Sequence, residues 1–306
     1  MIARNAVDII GVPFNSDGTT RGVARGPAAL RAAGLIDAMR RAGIDVTDRG
    51  DLRVAATTTA RDPACHVIAP DSLASMISGV RSRVARSLKR GAFPIVIGGD
   101  CPIMLGCLAA IATPDSPVGL VFVDGHEDAW PPGQSVSGEA ADMEMGFVLG
   151  LTLGDLPHDL RALIPPLRFE DVVVLGPRDQ VELRQAGVDT LEGRLAYRAS
   201  TDVARDPAAA GHDAVARMAT FARWWFHVDL DVLATASLAA VDYRQPDGLD
   251  WDALGRLSAI ALGDHGIAGW DVTIYNPDLD PDGSDAARII AFVTQSLHHA
   301  GFTTRR

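Results

Sequence analysis

Val121-Phe122-Val123-Asp124-Gly125-His126-Glu127-Asp128 is the stretch on which the reading of the whole chain turns. An apolar strand core runs straight into Asp-x-His-x-Asp. Side chains of an extended strand alternate between its two faces. Extended geometry carried through the motif therefore predicts Asp124, His126 and Asp128 on one side. Three metal-competent groups would then converge at the carboxyl end of a strand, which is where open α/β sheets bind ligands. The plainer reading is a solvated turn with a stray histidine.

A second stretch repeats the pattern. Trp224-Trp225-Phe226-His227-Val228-Asp229-Leu230-Asp231 is an apolar strand ending in Asp-x-Asp, with His227 on the same predicted face. Two like charges this close are costly in a core without a cation. A third stretch, Ile95-Val96-Ile97-Gly98-Gly99-Asp100-Cys101-Pro102, ends in Gly-Gly, which lets backbone approach a ligand closely. Cys101 follows, either as a ligand or as a small apolar residue at a helix start. Four aspartates and a histidine, Asp124, His126, Asp128, Asp229 and Asp231, suit two divalent cations with bridging carboxylates. Two such ions about 3.5–4 Å apart share and activate a water. No P-loop, serine elbow or Gly-x-Gly-x-x-Gly competes with this reading.

Around these stretches, apolar runs alternate with helix-period segments, the pattern of an α/β protein with a parallel sheet. The other predicted strands are Val7–Gly11, Asp45–Asp48, Asp171–Leu175 and Gly269–Tyr275; the three above are placed at Pro94–Gly98, Gly119–Asp124 and Trp225–Asp231. Leu73, Met76, Ile77, Val80, Val84 and Leu88 repeat at helical spacing after a predicted N-cap at Asp71, with Gly91 as the stop. Ile290, Val293 and Leu297 form a later stripe capped by Ser284, and Pro27 opens a helix at Ala28. Ala55–Pro70 and the turn-rich segment after Trp130 read as loops. With no repeat or long linker, one domain over 1–306 is expected.

Composition narrows the partners. The 306 residues are 47% hydrophobic and carry a net charge of −11, which disfavours nucleic acid and anionic lipid. No run is apolar enough for a membrane helix, and Met1–Gly11 reads as a first strand rather than a signal peptide. Three cysteines, Cys65, Cys101 and Cys107, suggest reduced thiols and a cytoplasmic setting.

Taken in order, these motifs resemble the arginase, agmatinase and formiminoglutamase (ureohydrolase) family, which carries Gly-Gly-Asp-His, Asp-Ala-His-x-Asp and Ser-x-Asp-x-Asp. Gly22-Val23-Ala24-Arg25-Gly26-Pro27 resembles the family's early Gly-rich segment, and Gly269-Trp270-Asp271-Val272 with Asn276-Pro277 its last strand. The resemblance implies a three-layer α/β/α sandwich around a mainly parallel eight-stranded sheet, assembled as a homo-oligomer, commonly a trimer or hexamer. It implies one cation held by Cys101, Asp124, Asp128 and Asp229, and another by His126, Asp124, Asp229 and Asp231. Manganese is the family's usual metal.

Four departures reshape that expectation. Cys101 stands where the family has its first histidine ligand; a thiolate is softer and anionic, and admits Zn2+ or another softer ion. Relatives acting on N-hydroxy-arginine are similar in carrying a cysteine here. Ile274 stands where the family places a glutamate for the guanidinium group. Ala141 lies where arginases have a proton-shuttling histidine, with Glu139 and Asp142 beside it, and Trp130 replaces a small polar residue. The resemblance thus implies a hydrolase acting through hydroxide on a linear C–N bond of a guanidino or amidine compound, other than ordinary arginine or agmatine. Asp128 would hold the hydroxide and pass its proton to the leaving nitrogen. Glu127 and His227 are further acid–base candidates, and Trp130, Glu139, Asp142 and Ile274 line the expected substrate pocket. Arg178, at a strand end, is read as a structural ion pair or an anion contact. The competing readings are a non-catalytic protein on this scaffold and an amide hydrolase (deacylase).

Overall fold

The computed structural model describes residues 6–54, 58–113 and 116–302. Residues 55–57, at the start of the loop expected over Ala55–Pro70, and the ends of the 1–306 domain, 1–5 and 303–306, lie outside the described residues.

Eight strands form one sheet: β1 (Val7–Val12), β2 (Val46–Asp51), β3 (Phe93–Gly98), β4 (Gly119–Val123), β5 (Val172–Leu175), β6 (Ala196–Arg198), β7 (Trp224–Asp229) and β8 (Ile267–Thr273). Their order is β2-β1-β3-β8-β7-β4-β5-β6. Every pairing is parallel, so the sheet expected as mainly parallel is wholly so among the described residues.

The continuous apolar runs are explained by burial on both faces. In β4, Val121 and Val123 enter one core with the helices Gly26–Ala32, Leu35–Arg41, Pro207–Met218, Trp251–Gly263 and Ser284–His299. Leu120 and Phe122 enter the other, with Pro70–Lys89, Ile103–Ile111 and Glu144–Val148. Helices thus cover both faces, giving the expected three layers. None of the described helices is long and apolar enough to cross a membrane.

The strand order places the site. The chain goes from β3 to β4, leaving a gap that β8 and β7 later fill. Four neighbouring strands, β3, β8, β7 and β4, consequently deliver their carboxyl ends to one stretch of sheet edge, where crossovers diverge and leave a crevice.

Several sequence expectations are corrected. β6 was missed because it is a three-residue edge strand whose residues are only half buried, leaving no apolar run to read. The long helix begins at Pro70 after Ala69, not at a cap on Asp71, and the last begins at Ser284 itself after the left-handed Gly283. Pro27 lies in the first turn of a helix that starts at Gly26. The glycines after β3 serve packing rather than ligand approach: a Cβ on Gly99 would sit 1.8 Å from the Phe14 carbonyl oxygen. That contact clamps the end of β1 to the end of β3, with Gly99 N–H on Val12 and Asp100 N–H on Phe14. Because the obstacle is backbone, Gly99→Ala is expected to destabilise the fold by about 2 kcal/mol or more. Urea unfolding checks this; an unchanged midpoint would contradict the clamp.

Candidate metal centre

The ligands converge by turns rather than by strand alternation. β4 stops at Val123, and Asp124 opens a turn in which its Oδ1 accepts the His126 N–H at 2.7 Å. Asp128 then adopts φ 46°. Extended chain would separate alternate residues by about 6.5 Å. The turn instead brings ligand atoms of Asp124, His126 and Asp128 within 4.8 Å of one another. The same device follows β7, where Asp229 ends the strand and its Oδ1 accepts the Asp231 N–H at 2.7 Å. The one-face geometry expected from period-two alternation is therefore corrected: a carboxylate capping the amide two residues on folds each motif back on itself.

His126 Nδ1 lies 3.0 Å from Asp231 Oδ2 and 3.7 Å from Asp124 Oδ1, facing the gap between them. Its Nε2 is 3.1 Å from the Gln245 side-chain nitrogen. Cys101 Sγ contacts Asp229 Oδ2 and lies 3.3 Å from Thr273 Oγ1. Cys101, Asp124, His227 and Asp229 offer donor atoms all within 4.8 Å of one another, as do Cys101, Asp128 and Glu144. His227 lies wholly buried beneath them, stacked on Phe122. Its Nδ1 is 2.5 Å from Asp271, leaving Nε2 3.7 Å from Asp124 Oδ2.

The charge balance argues for a cation. Asp124, Asp128, Asp229, Asp231 and Glu144 are all buried, and among the described residues no lysine or arginine pairs with them. Arg178 is spent elsewhere: its guanidinium donates to the backbone carbonyls of Asp231 at 2.5 Å and Val232 at 3.4 Å, so it braces the loop instead of forming an ion pair or binding an anion. Asp124 Oδ2 and both Glu144 oxygens have no hydrogen-bond partner. Burial, then repulsion from neighbouring carboxylates, pushes Asp128, Asp229 and Glu144 well above the usual carboxylate range. Burial opposes protonation of the two imidazoles, but Asp231 and Asp124 lift His126, and Asp271 and Asp124 lift His227. A protein that buries so much negative charge and orphans its oxygens has the donors a divalent cation needs.

Above the centre is a cavity of about 430 Å³, lined by Cys101, His126, Asp128, Asp229 and Asp231 at its base. The four expected pocket residues, Trp130, Glu139, Asp142 and Ile274, all line it. Asp142 is occupied in holding the loop, accepting from Ser135 Oγ at 2.8 Å and Ser137 Oγ at 2.9 Å. Burial raises the Glu139 carboxyl to about 8 despite a hydrogen bond from Tyr243. Ile274 takes φ 71°, a left-handed conformation rarely adopted by a β-branched residue. Three candidates lie outside the cavity lining: the ligand candidate Asp124, Glu127 and His227. Glu127, fully buried, accepts the Leu191 N–H and the Tyr197 hydroxyl, which makes it a structural anchor rather than an acid–base group. His227 contacts the cluster from beneath. Sequence reasoning missed Glu144, whose signal was a lone charge in the apolar run Met143–Val148. It also missed Asp271 as the partner of His227, and Gln245, for which the sequence holds no signal.

Fold and centre define an α/β protein with a buried cluster of candidate metal ligands at the carboxyl edge of a parallel sheet. The model of the Arginase family matches residues 5–299. The chain belongs to the arginase family. It is 31% identical to an arginase of Staphylococcus aureus (strain MRSA252) over 182 residues, 58% of this chain and 59% of that one, so the match spans less than two thirds of the relative. An arginase from Bacillus caldovelox superposes with a TM-score of 0.80 at 24% identity, covering 95% of this chain and 98% of that one. Formimidoylglutamase from Bacillus subtilis does so with 0.72 at 14%, covering 98% and 89%.

The pKa directions set the pH response of protein stripped of cations. Asp128, Asp229 and Glu144 are raised above unfolded values of 3.8, 3.8 and 4.5, and His126 and His227 above 6.5. Above those values the folded state binds more protons than the unfolded chain, so stability falls as pH rises. Metal-free protein is expected to be less stable near pH 8 than near pH 5.5, with added divalent cation stabilising most at the higher pH. Urea unfolding with and without chelator checks the sign; a metal-free protein that gains stability toward pH 8 would contradict it.

Proposed function

We propose that this protein is a metal-dependent hydrolase that cleaves a linear C–N bond of a small guanidino- or amidine-type compound, and that ordinary arginine and agmatine are not its substrates. The observation that carries this reading is the uncompensated carboxylate cluster at the base of a cavity of small-molecule size. When bound, two divalent cations, manganese first and zinc admitted by Cys101, supply an activated water. Cys101, Asp124, Asp128 and Asp229 would hold one, and Asp124, His126, Asp229 and Asp231 the other.

Asp128 is both near the ligand cluster and in the cavity wall. Its carboxylate holds the attacking water by hydrogen bond and carries a proton from it to the leaving nitrogen. His227 is a positioning residue: the Asp271 contact on Nδ1 fixes the ring so that Nε2 faces Asp124. The wall sets the substrate. Ile274 offers no charge to a guanidinium group, and Glu139, with a pKa of about 8, presents a carboxyl that is mostly neutral near pH 7. Among the described residues Arg244 is the one arginine or lysine lining the cavity, and it suits a carboxylate on the substrate. Ile274 also favours a second reading, an amide hydrolase. Homo-oligomeric assembly and a cytoplasmic setting belong to the same proposal, the latter supported by three buried free thiols.

Manganese-loaded protein assayed in parallel on guanidino, N-hydroxyguanidino, formimino and amide compounds tests the reading. We expect turnover of substituted guanidino compounds, N-hydroxyguanidino ones included, but not of arginine or agmatine. Asp128→Asn should lower kcat by about 100-fold or more while circular dichroism stays that of the wild type. Amide turnover alone would move the assignment to the second reading. Full metal content with no turnover of any class would sink the hydrolase.

A further inference from the structure

Glu144 is the one member of the buried cluster that neither the sequence motifs nor the proposed ligand sets employ. It opens the short helix Glu144–Val148, and its side chain is fully buried. Its placement is fixed by Asp128, whose carbonyl accepts the N–H groups of Met145 at 2.9 Å and Gly146 at 3.2 Å. The left-handed backbone that orients Asp128 therefore also delivers the next carboxylate to the centre. One Glu144 oxygen lies within 4.8 Å of both Cys101 Sγ and an Asp128 oxygen.

Both Glu144 oxygens lack a hydrogen-bond partner. An ionised carboxylate here has no hydrogen-bond donor, and a protonated one has no acceptor for its proton. Either form is costly in a buried site. The group is complete only when something from outside the chain joins it, and its neighbours, a thiol and a carboxylate, are metal donors.

We propose that Glu144 is a ligand of the cation on the Cys101–Asp128 side of the centre, a further oxygen donor beside Cys101. The inference rests on the metal-dependent reading above. With Glu144 included, that cation sees three aspartates and a glutamate besides the sulfur. Such an oxygen-rich set favours a hard ion such as manganese over a soft one, despite the cysteine. Glu144 thus offsets the pull toward zinc that Cys101 introduces.

The test is cation binding by the full chain, read without any substrate. Wild type, Glu144→Gln and Glu144→Asp are stripped with chelator and titrated with Mn2+ by calorimetry. Content is counted by elemental analysis, and visible spectra are recorded with Co2+. We expect wild type to take two cations. Glu144→Gln should lose one of them, or bind it about 100-fold or more weaker, since even outer-shell partners of a ligand are worth 10–100-fold. The Co2+ spectrum should change with it, while metal-free unfolding stays at least as stable as wild type because a buried acid has been neutralised. Glu144→Asp, which keeps the charge on a shorter arm, should weaken the same site; it carries the test if Glu144→Gln does not fold. Two cations bound by both variants with wild-type affinity and spectrum would overturn the role of Glu144 and leave the metalloprotein reading standing. A wild type that binds no cation would overturn both.

Discussion

Mutual repulsion among buried carboxylates is the constraint on which this molecule is organised. Asp124, Asp128, Asp229, Asp231 and Glu144 come from two strand ends and a helix start, and each is nearly inaccessible to water. Among the described residues no lysine or arginine side chain forms an ion pair with them. In a low-dielectric interior such an arrangement persists only with positive charge inserted or with protons bound. The two histidines supply some of that charge, since His126 and His227 are both lifted well above their ordinary pKa by the acids around them. A bound cation would supply it without protons, and would leave the His126 imidazole free to act as a donor. The sheet topology serves this end: inserting β8 and β7 between β3 and β4 brings the ends of four strands together.

The backbone around the centre is strained where the chemistry is. Five non-glycine residues take positive φ among the described residues, and three of them, Asp128, Tyr243 and Ile274, line the cavity. Each such conformation costs on the order of 1–3 kcal/mol and persists only where surrounding contacts over-determine it. Those contacts are visible. Asp128 is held by two helix N–H groups on its carbonyl, and Ile274 donates its N–H to Gly99 at 2.8 Å. Tyr243 lies between Val241, which bridges Tyr275, and Gln245, whose carbonyl accepts Thr235 Oγ1 at 2.6 Å. The same Gln245 reaches His126. Strain, cavity wall and ligand cluster are thus one connected structure.

How much of this was legible in the sequence depends on how local the signal is. Six of the eight strands announce themselves as runs buried on both faces, whereas the edge strand β2 buries only Val46. The edge strand β6 has no such burial and left no trace. Asp124, His126, Asp128, Asp229 and Asp231 were readable because each lies within a few residues of a strand end. Their geometry was not, since a carboxylate capping its own chain two residues on looks in sequence the same as one continuing a strand. Glu127 shows the opposite error: it sits in the motif, yet faces Leu191 and Tyr197, contacts made from some 60 to 70 residues away. Glu144 and Asp271 were hidden for the same reason, for their partners are brought to them only by the folded sheet.

The division between base and wall separates the ligand cluster from the residues that shape the cavity. At the base, Cys101 and Glu144 share one neighbourhood, a sulfur and an oxygen donor within 4.8 Å of each other. The two features are best understood together: a thiol alone softens the site, and a glutamate alone overcharges it. In the wall, Ile274, Trp130 and Glu139 face the cavity, and Ile274 is tied back toward the base by its N–H on Gly99. A protein losing its chemistry would be under no constraint to keep five carboxylates buried, since their removal would relieve repulsion and stabilise the fold. Five carboxylates held buried beneath a cavity of small-molecule size are what supports the hydrolase reading proposed above.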